Sequence, residues 1–164
     1  YAAVNMSAIP AINDSVGGVD VKVLEDLTKA DADLVKDSYV HLSGESALTY
    51  VRYRDTDVFG SADMRLARQQ QYLTNLVNAA KQGAKGNVST ALDLYRTISP
   101  QMVTDISLDK TAYLTSILSD YTFDEENFYL LEGETVRGEE FEEFYPDENA
   151  LYELILNVFY EKVE

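Results

Sequence analysis

The sequence has no cysteine, one histidine and three prolines in 164 residues, and its 13 Lys+Arg are outnumbered by 29 Asp+Glu. Without cysteine there can be no disulfide, no thiolate metal site and no cysteine nucleophile, although the compartment is left open. With His41 as its single histidine the chain can build neither a His-based triad nor a His-rich metal centre. The formal net charge of -16 removes the basic face that displaces counterions from a phosphate backbone, so no nucleic acid partner is expected. No run of 18 apolar residues is present, and no charged-then-apolar leader. None of the serines sits in a nucleophile elbow.

What remains is globular material: 46% of the residues are apolar, enough for one domain, taken as residues 1–164. The opening "YAAVNMSAIPAI" lacks an initiator Met and reads as a strand already in progress, so the expectation is the C-terminal portion of a longer domain. A helix is predicted over "SAIPAINDSVGG", with Ser7 as N-cap, Pro10 in its first turn and Gly17-Gly18 ending it. "VDVKVL" alternates with period two and predicts a strand with Val19, Val21 and Val23 on one face. Residues 25–41 read as a polar loop.

A helix capped by Ser43 follows, then an aspartate-rich loop over 55–60 and a long helix over 62–81. Two amphipathic helices, capped near Asn87 and Ser107, precede a strand at "NFYLLEG". The acidic stretch Glu132–Glu143 reads as a solvated loop, and Pro146 and Asp147 begin a closing helix whose Tyr152, Phe159 and Tyr160 fall at core spacing. Strands interleaved with helices predict an α/β fold, but they are too few to complete a sheet. An unpaired strand edge or apolar groove is therefore expected, through which the piece would self-associate.

Against this acidic background, four of the six arginines lie in "YVRYRDTDVFGSADMRLARQQQYL". On the long helix the apolar positions Tyr72, Leu73, Leu76, Val77 and Ala80 extend backwards to Gln69 and Arg65, which places those two on the inner face, with Arg68 at its margin. A buried guanidinium requires a partner. Internal carboxylates (Asp55, Asp57, Asp63) would make a salt-bridge knot. A bound anion is the other answer: if the chain is extended after the preceding helix, Arg52 and Arg54 converge with Arg65 as forked donors for phosphate, and Gln69 adds a neutral donor.

"LSGESALTYVRYRDTD…DMRLARQQ" resembles the signature of the LytR–CpsA–Psr family, and "INDSVGGVDVKV" is similar to its upstream Asp-x-x-Gly-Gly-Val segment. The ending "EEFYPDENALYELILNVFYE" is similar to the family's C-terminal helix. The resemblance implies a layered α/β/α sandwich around a mixed sheet, incomplete in this chain, with an apolar channel for a prenyl chain. It implies an extracytoplasmic phosphotransferase, on the cell membrane or envelope of a Gram-positive bacterium and anchored by a segment outside this chain. Such an enzyme moves a teichoic acid or capsule-type glycopolymer from a polyprenyl (undecaprenyl) pyrophosphate to a peptidoglycan acceptor, assisted by Mg²⁺. Carried over by position, Arg52, Arg54, Arg65 and Gln69 contact the pyrophosphate. Arg68 joins them with a less defined role, and Asp63 joins Arg52 and Arg54 as catalytic. Metal ligands are expected mostly upstream of Tyr1, and none is assigned here. The alternative is a non-catalytic binder of polyprenyl phosphates or anionic glycans.

Overall fold

Three alternating valines fix the position of the core. In the computed structural model, which describes residues 1–84, 88–118 and 121–161, strand β2 (Val19–Lys22) buries Val19 and Val21 and turns Asp20 and Lys22 outward. Val23, one step beyond the strand, is buried with them. The partner of β2 is β3 (Tyr39–Leu42), antiparallel, with Val21 opposite Val40 and Val19 opposite the buried Leu42. This corrects the expectation for residues 25–41. Leu27 and Leu34 are buried core anchors, and the Leu27 N–H donates to the Leu34 carbonyl at 3.0 Å. Aspartate-headed turns shape the rest, Asp26 accepting from the Thr28 N–H and Asp31 from the Asp33 N–H, each at 3.1 Å.

Upstream, β1 (Ala2–Val4) leads to a single 3-10 turn and then α1 (Ile9–Ser15). The capping residue is Asn5, whose Oδ1 accepts the Ser7 N–H at 3.0 Å, so the cap lies two residues before the expected Ser7. Gly18 (φ 92°) ends this region in the left-handed conformation that favours glycine. Asn13 of α1 is fully buried and donates to the Leu42 carbonyl at 2.8 Å, tying α1 to β3.

The next two helices carry the arginine cluster. They are α2 (Gly44–Arg52), which buries Ala47, Tyr50 and Val51, and α3 (Ser61–Ala84). The inner face of α3 differs from the expected one. Ser61, Arg68 and Tyr72 are buried and Leu76 packs on the core, whereas Leu73 is 42% exposed. An apolar-only template skips Arg68, and so it misses the true stripe by a fraction of a turn.

The remaining chain comprises α4 (Val88–Ile98), β4 (Met102–Thr104) and α5 (Leu108–Leu118). β4 pairs antiparallel with β1. The Lys110 N–H reaches the expected Ser107 cap at 3.3 Å, while the Asn87 cap lies outside the described residues. Val77, Leu94, Ile98 and Leu114 line an apolar cavity of about 430 Å³ between α3, α4 and α5. The expected strand at Asn127–Gly133 does not form. Instead, the acidic stretch is a hairpin of β5 (Gly133–Arg137) and β6 (Glu142–Pro146), with Arg137 opposite Glu142. Asp147 caps α6 (Glu148–Phe159) by accepting from the N–H groups of Asn149 and Ala150 at 2.8 and 3.0 Å. Tyr152, Phe159 and Tyr160 are exposed and do not pack as expected.

The class is α/β, and the strands among the described residues pair two by two, always antiparallel. No helix among them is long and apolar enough to cross a membrane.

Two measurements check this core. Leu34→Ala is expected to cost about 2–5 kcal/mol in a urea melt, and Leu73→Ala no more than about 0.5 kcal/mol; comparable losses would restore the expected face of α3. Burial also pushes the Tyr50 and Tyr72 phenols up to about 12. Their contribution is present in full below pH 10, where unfolded tyrosine begins to ionise, and is lost as pH rises from 10 through 12. It amounts to about 2–3 kcal/mol for each group. Phenolate absorbance should show these two of the twelve tyrosines ionising last, together with unfolding.

Candidate functional site

The end of a helix leaves its last carbonyls without intrahelical donors. At the end of α2 these are supplied from α3. The Arg68 guanidinium donates to the carbonyls of Tyr50 and Tyr53, and Gln69 Nε2 donates to the Val51 carbonyl at 2.9 Å. Arg68 Nε completes the arrangement with Glu25 Oε1 at 2.7 Å, just beyond β2, and the guanidinium carbon lies 5.7 Å from the Tyr50 ring centroid. Arg68 is 1% exposed. Burial pulls its pKa below the ordinary arginine value, opposed by the adjacent Glu25 carboxylate. Arg68, expected among the pyrophosphate contacts, thus commits its donors to the fold and positions the chain around Tyr53.

Tyr53 separates the two core arginines. Its backbone is extended (φ −56°, ψ 138°), which is the straightening expected where α2 gives out. Arg52, the last residue of α2, is exposed. Arg54 is half-buried. Its Nε donates to Ser61 Oγ at 2.9 Å, and its Nη2 lies 2.7 Å from Glu142 Oε2 on β6. The other oxygen of Glu142 accepts the N–H of Gly60, immediately before α3, at 2.7 Å. Arg65, half-buried on α3, lies near enough to Arg68 that its charge helps to lower the latter's pKa. Among the described residues neither Arg52 nor Arg65 has an ion-pair partner.

The internal salt bridges are therefore not those weighed from the sequence. Asp55 pairs with Lys29 Nζ at 2.7 Å, and that contact holds its carboxyl below the usual carboxylate range. Asp57 and Asp63 are exposed. Arg54 and Asp63 share a cleft of about 1730 Å³ between the first turns of α3 and the β5–β6 hairpin, whereas Arg52, Arg65, Arg68 and Gln69 do not line it. Glu25 and Glu142 were missed. Glu25 directly follows the alternation of β2. Glu142 lies in "ETVRGEEFEEFY", where Gly138 divides two runs that alternate weakly and have no apolar face. Among the described residues no three His, Asp or Glu side chains are grouped so as to hold a metal.

The model of the LytR_cpsA_psr family matches residues 1–154. The chain is 30% identical over 128 residues to the polyisoprenyl-teichoic acid–peptidoglycan teichoic acid transferase TagV of Bacillus subtilis (strain 168), which covers 74% of this chain and 32% of TagV. It is 32% identical over 111 residues to the corresponding transferase TagU of Bacillus anthracis (strain CDC 684 / NRRL 3495), covering 67% of this chain and 35% of TagU. The chain thus spans about a third of the length of these curated relatives. The crystal structure of B. subtilis TagV superposes with a TM-score of 0.71 at 26% identity, over 99% of this chain and 65% of that one.

Arg65 and Arg68 should respond oppositely to the same change. Arg68→Met strands the Glu25 carboxylate and two carbonyls, and is expected to cost about 3–5 kcal/mol. Arg65→Met removes a cation that has no carboxylate partner among the described residues and stands beside another cation, so stability should hold or rise. Parallel urea melts decide the matter, and equal losses would mean that Arg65 is also a structural arginine.

Proposed function

The chain belongs to the LytR–CpsA–Psr family, and from that footing we propose that it forms the C-terminal part of a glycopolymer phosphotransferase. The substrate is an anionic polymer of teichoic acid or capsule type, carried on undecaprenyl pyrophosphate, and the acceptor is peptidoglycan. The work is done at the extracytoplasmic face of a Gram-positive cell envelope, with membrane attachment through a segment outside these 164 residues. Self-association through exposed strand edges belongs to the same proposal.

The observation that carries this reading is the state of the arginine cluster. Arg54 already holds a carboxylate, while Arg52 and Arg65 meet none among the described residues. In a chain of net charge -16, arginines left unpaired beside one that binds a carboxylate are suited to a multivalent anion. A diphosphate has that charge and geometry, and the names of TagV and TagU give a polyisoprenyl-linked teichoic acid as what those relatives transfer. The apolar cavity between α3, α4 and α5 suits a prenyl chain.

In the proposed reaction an acceptor hydroxyl attacks the phosphorus that bears the polymer. The bond from that phosphorus to the bridging oxygen breaks, and prenyl monophosphate leaves with the electron pair. Arg52, Arg54 and Arg65 hold the diphosphate oxygens and offset their charge, and Gln69, whose Nε2 already donates to the Val51 carbonyl, assists with its second N–H. Asp63, on the cleft shared with Arg54, takes the hydroxyl proton. Mg²⁺ enters the proposal with ligands mostly outside this chain, since its described residues offer no group of three to hold it.

Calorimetric titration of a prenyl pyrophosphate into the protein as its host makes it tests the site. Arg52→Lys and Arg54→Lys keep the charge but lose the fork, and each should weaken binding by about tenfold or more. Undiminished affinity in both would remove the forked contact. Tight binding without transfer to peptidoglycan would favour the non-catalytic binder instead.

A further inference from the structure

We propose that the Glu142 carboxylate occupies the seat of a substrate phosphate, so that the β5–β6 hairpin closes the anion site until a diphosphate displaces it. This rests on the diphosphate reading above and concerns access to the same site.

The seat is built of phosphate-binding parts. One edge is the Arg54 guanidinium, fixed from its other side by the Oγ of Ser61, which is itself buried. The other is the Gly60 N–H at the start of α3, where main-chain donors and the helix dipole favour an anion. Glu142 spends one oxygen on each, both at 2.7 Å. A phosphate group bridging the same two donors would make the same pair of contacts.

Ordinary cross-strand pairing does not account for this contact. The cation directly opposite Glu142 in the hairpin is Arg137, which would be its expected partner. Arg137 instead lies over the Phe59 ring, 5.5 Å from its centroid. Both residues therefore reach across to the 54–60 loop rather than to each other, and the hairpin is fastened over the arginine at two points. The Arg54–Glu142 pair is partly buried and the Arg137–Phe59 contact is exposed, and a two-stranded ribbon is only marginally stable by itself. A diphosphate brings more charge to Arg54 than one carboxylate does, so it competes favourably for the seat.

A permanent brace would show the same distances but would stay in place when the anion binds. The test is titration of inorganic pyrophosphate into the full chain, read by calorimetry and by amide hydrogen exchange. Glu142→Gln should bind pyrophosphate about fivefold or more tightly than the unaltered chain. The exposed Glu153→Gln, on α6 and outside the cleft, removes the same charge and should match the unaltered chain. In the unaltered chain, pyrophosphate should speed exchange at residues 133–137 and 142–146, a measurement that does not depend on any variant folding. Equal or weaker binding by Glu142→Gln, or hairpin exchange unchanged at saturation, overturns the gate. In that case a loss of affinity in Arg54→Lys would still uphold the diphosphate site. If neither the unaltered chain nor Glu142→Gln binds pyrophosphate, the gate and the site fall together.

Discussion

The contact of Arg68 with Glu25 and with the carbonyls of Tyr50 and Tyr53 is the constraint on which the arrangement of this chain depends. One side chain joins the end of β2, the end of α2 and the inner face of α3. A guanidinium can be buried at 1% exposure only if its donors are met and its charge is opposed, and both conditions hold here. The end of α2 gains in turn, because the Tyr50 carbonyl would otherwise be an unmet acceptor in the core. Gln69 extends the arrangement to the intervening Val51 carbonyl. The closing Arg-Gln pair of the signature thus acts as a C-cap delivered from a neighbouring helix.

That cap determines what the other arginines can do. Arg52 and Arg54 flank Tyr53, whose carbonyl Arg68 holds, so their main chain is fixed from below by buried contacts. Arg52 stays exposed, whereas Arg54 turns inward to the buried Ser61 hydroxyl. Arg65 stands beside Arg68 with no carboxylate partner among the described residues, and its charge adds to burial in lowering the pKa of Arg68. The four arginines of the cluster are thereby divided: Arg68 builds the scaffold, Arg54 holds the hairpin, and Arg52 and Arg65 have no ion-pair partner among the described residues.

Much of this was legible in the sequence where local chemistry and burial agree. The valine alternation of β2 and the Asp147 cap each had one strong local signal and formed where expected, and α2 starts at Ser43 although the Ser43 hydroxyl makes no capping hydrogen bond. The failures lie where a polar residue does the packing or an apolar one does not. Arg68 in the inner stripe of α3 looks like a surface residue to any hydrophobic template, which moved the inferred face towards Leu73. "NFYLLEG" has the composition of a strand but no partner, while "GETVR" and "EEFYP" pair although they lack an apolar face. The hairpin's register comes from its turn and its ladder, and neither appears in a hydropathy pattern. The site residues were legible as a cluster, because charge in an acidic chain is conspicuous. Their partners were not, since Glu25 and Glu142 are two of 29 acidic residues and are singled out only by the fold.

The two glutamate–arginine pairs also differ in what surrounds them, and the difference bears on function. In Glu25–Arg68 the cation is enclosed by Tyr50 and by helix-end carbonyls, while Glu25 itself is partly exposed. Glu142–Arg54 joins that rigid part to a ribbon whose other described tie to the loop is the Arg137–Phe59 stack. If an anion enters the cleft, Arg54 cannot follow Glu142 away, because Ser61 and the capped end of α2 hold its base. Glu142 can leave, since β5 and β6 carry no buried residue that anchors them to the core. The geometry therefore gives the contact a direction: the cation is the fixed partner, and the carboxylate is the one to be exchanged.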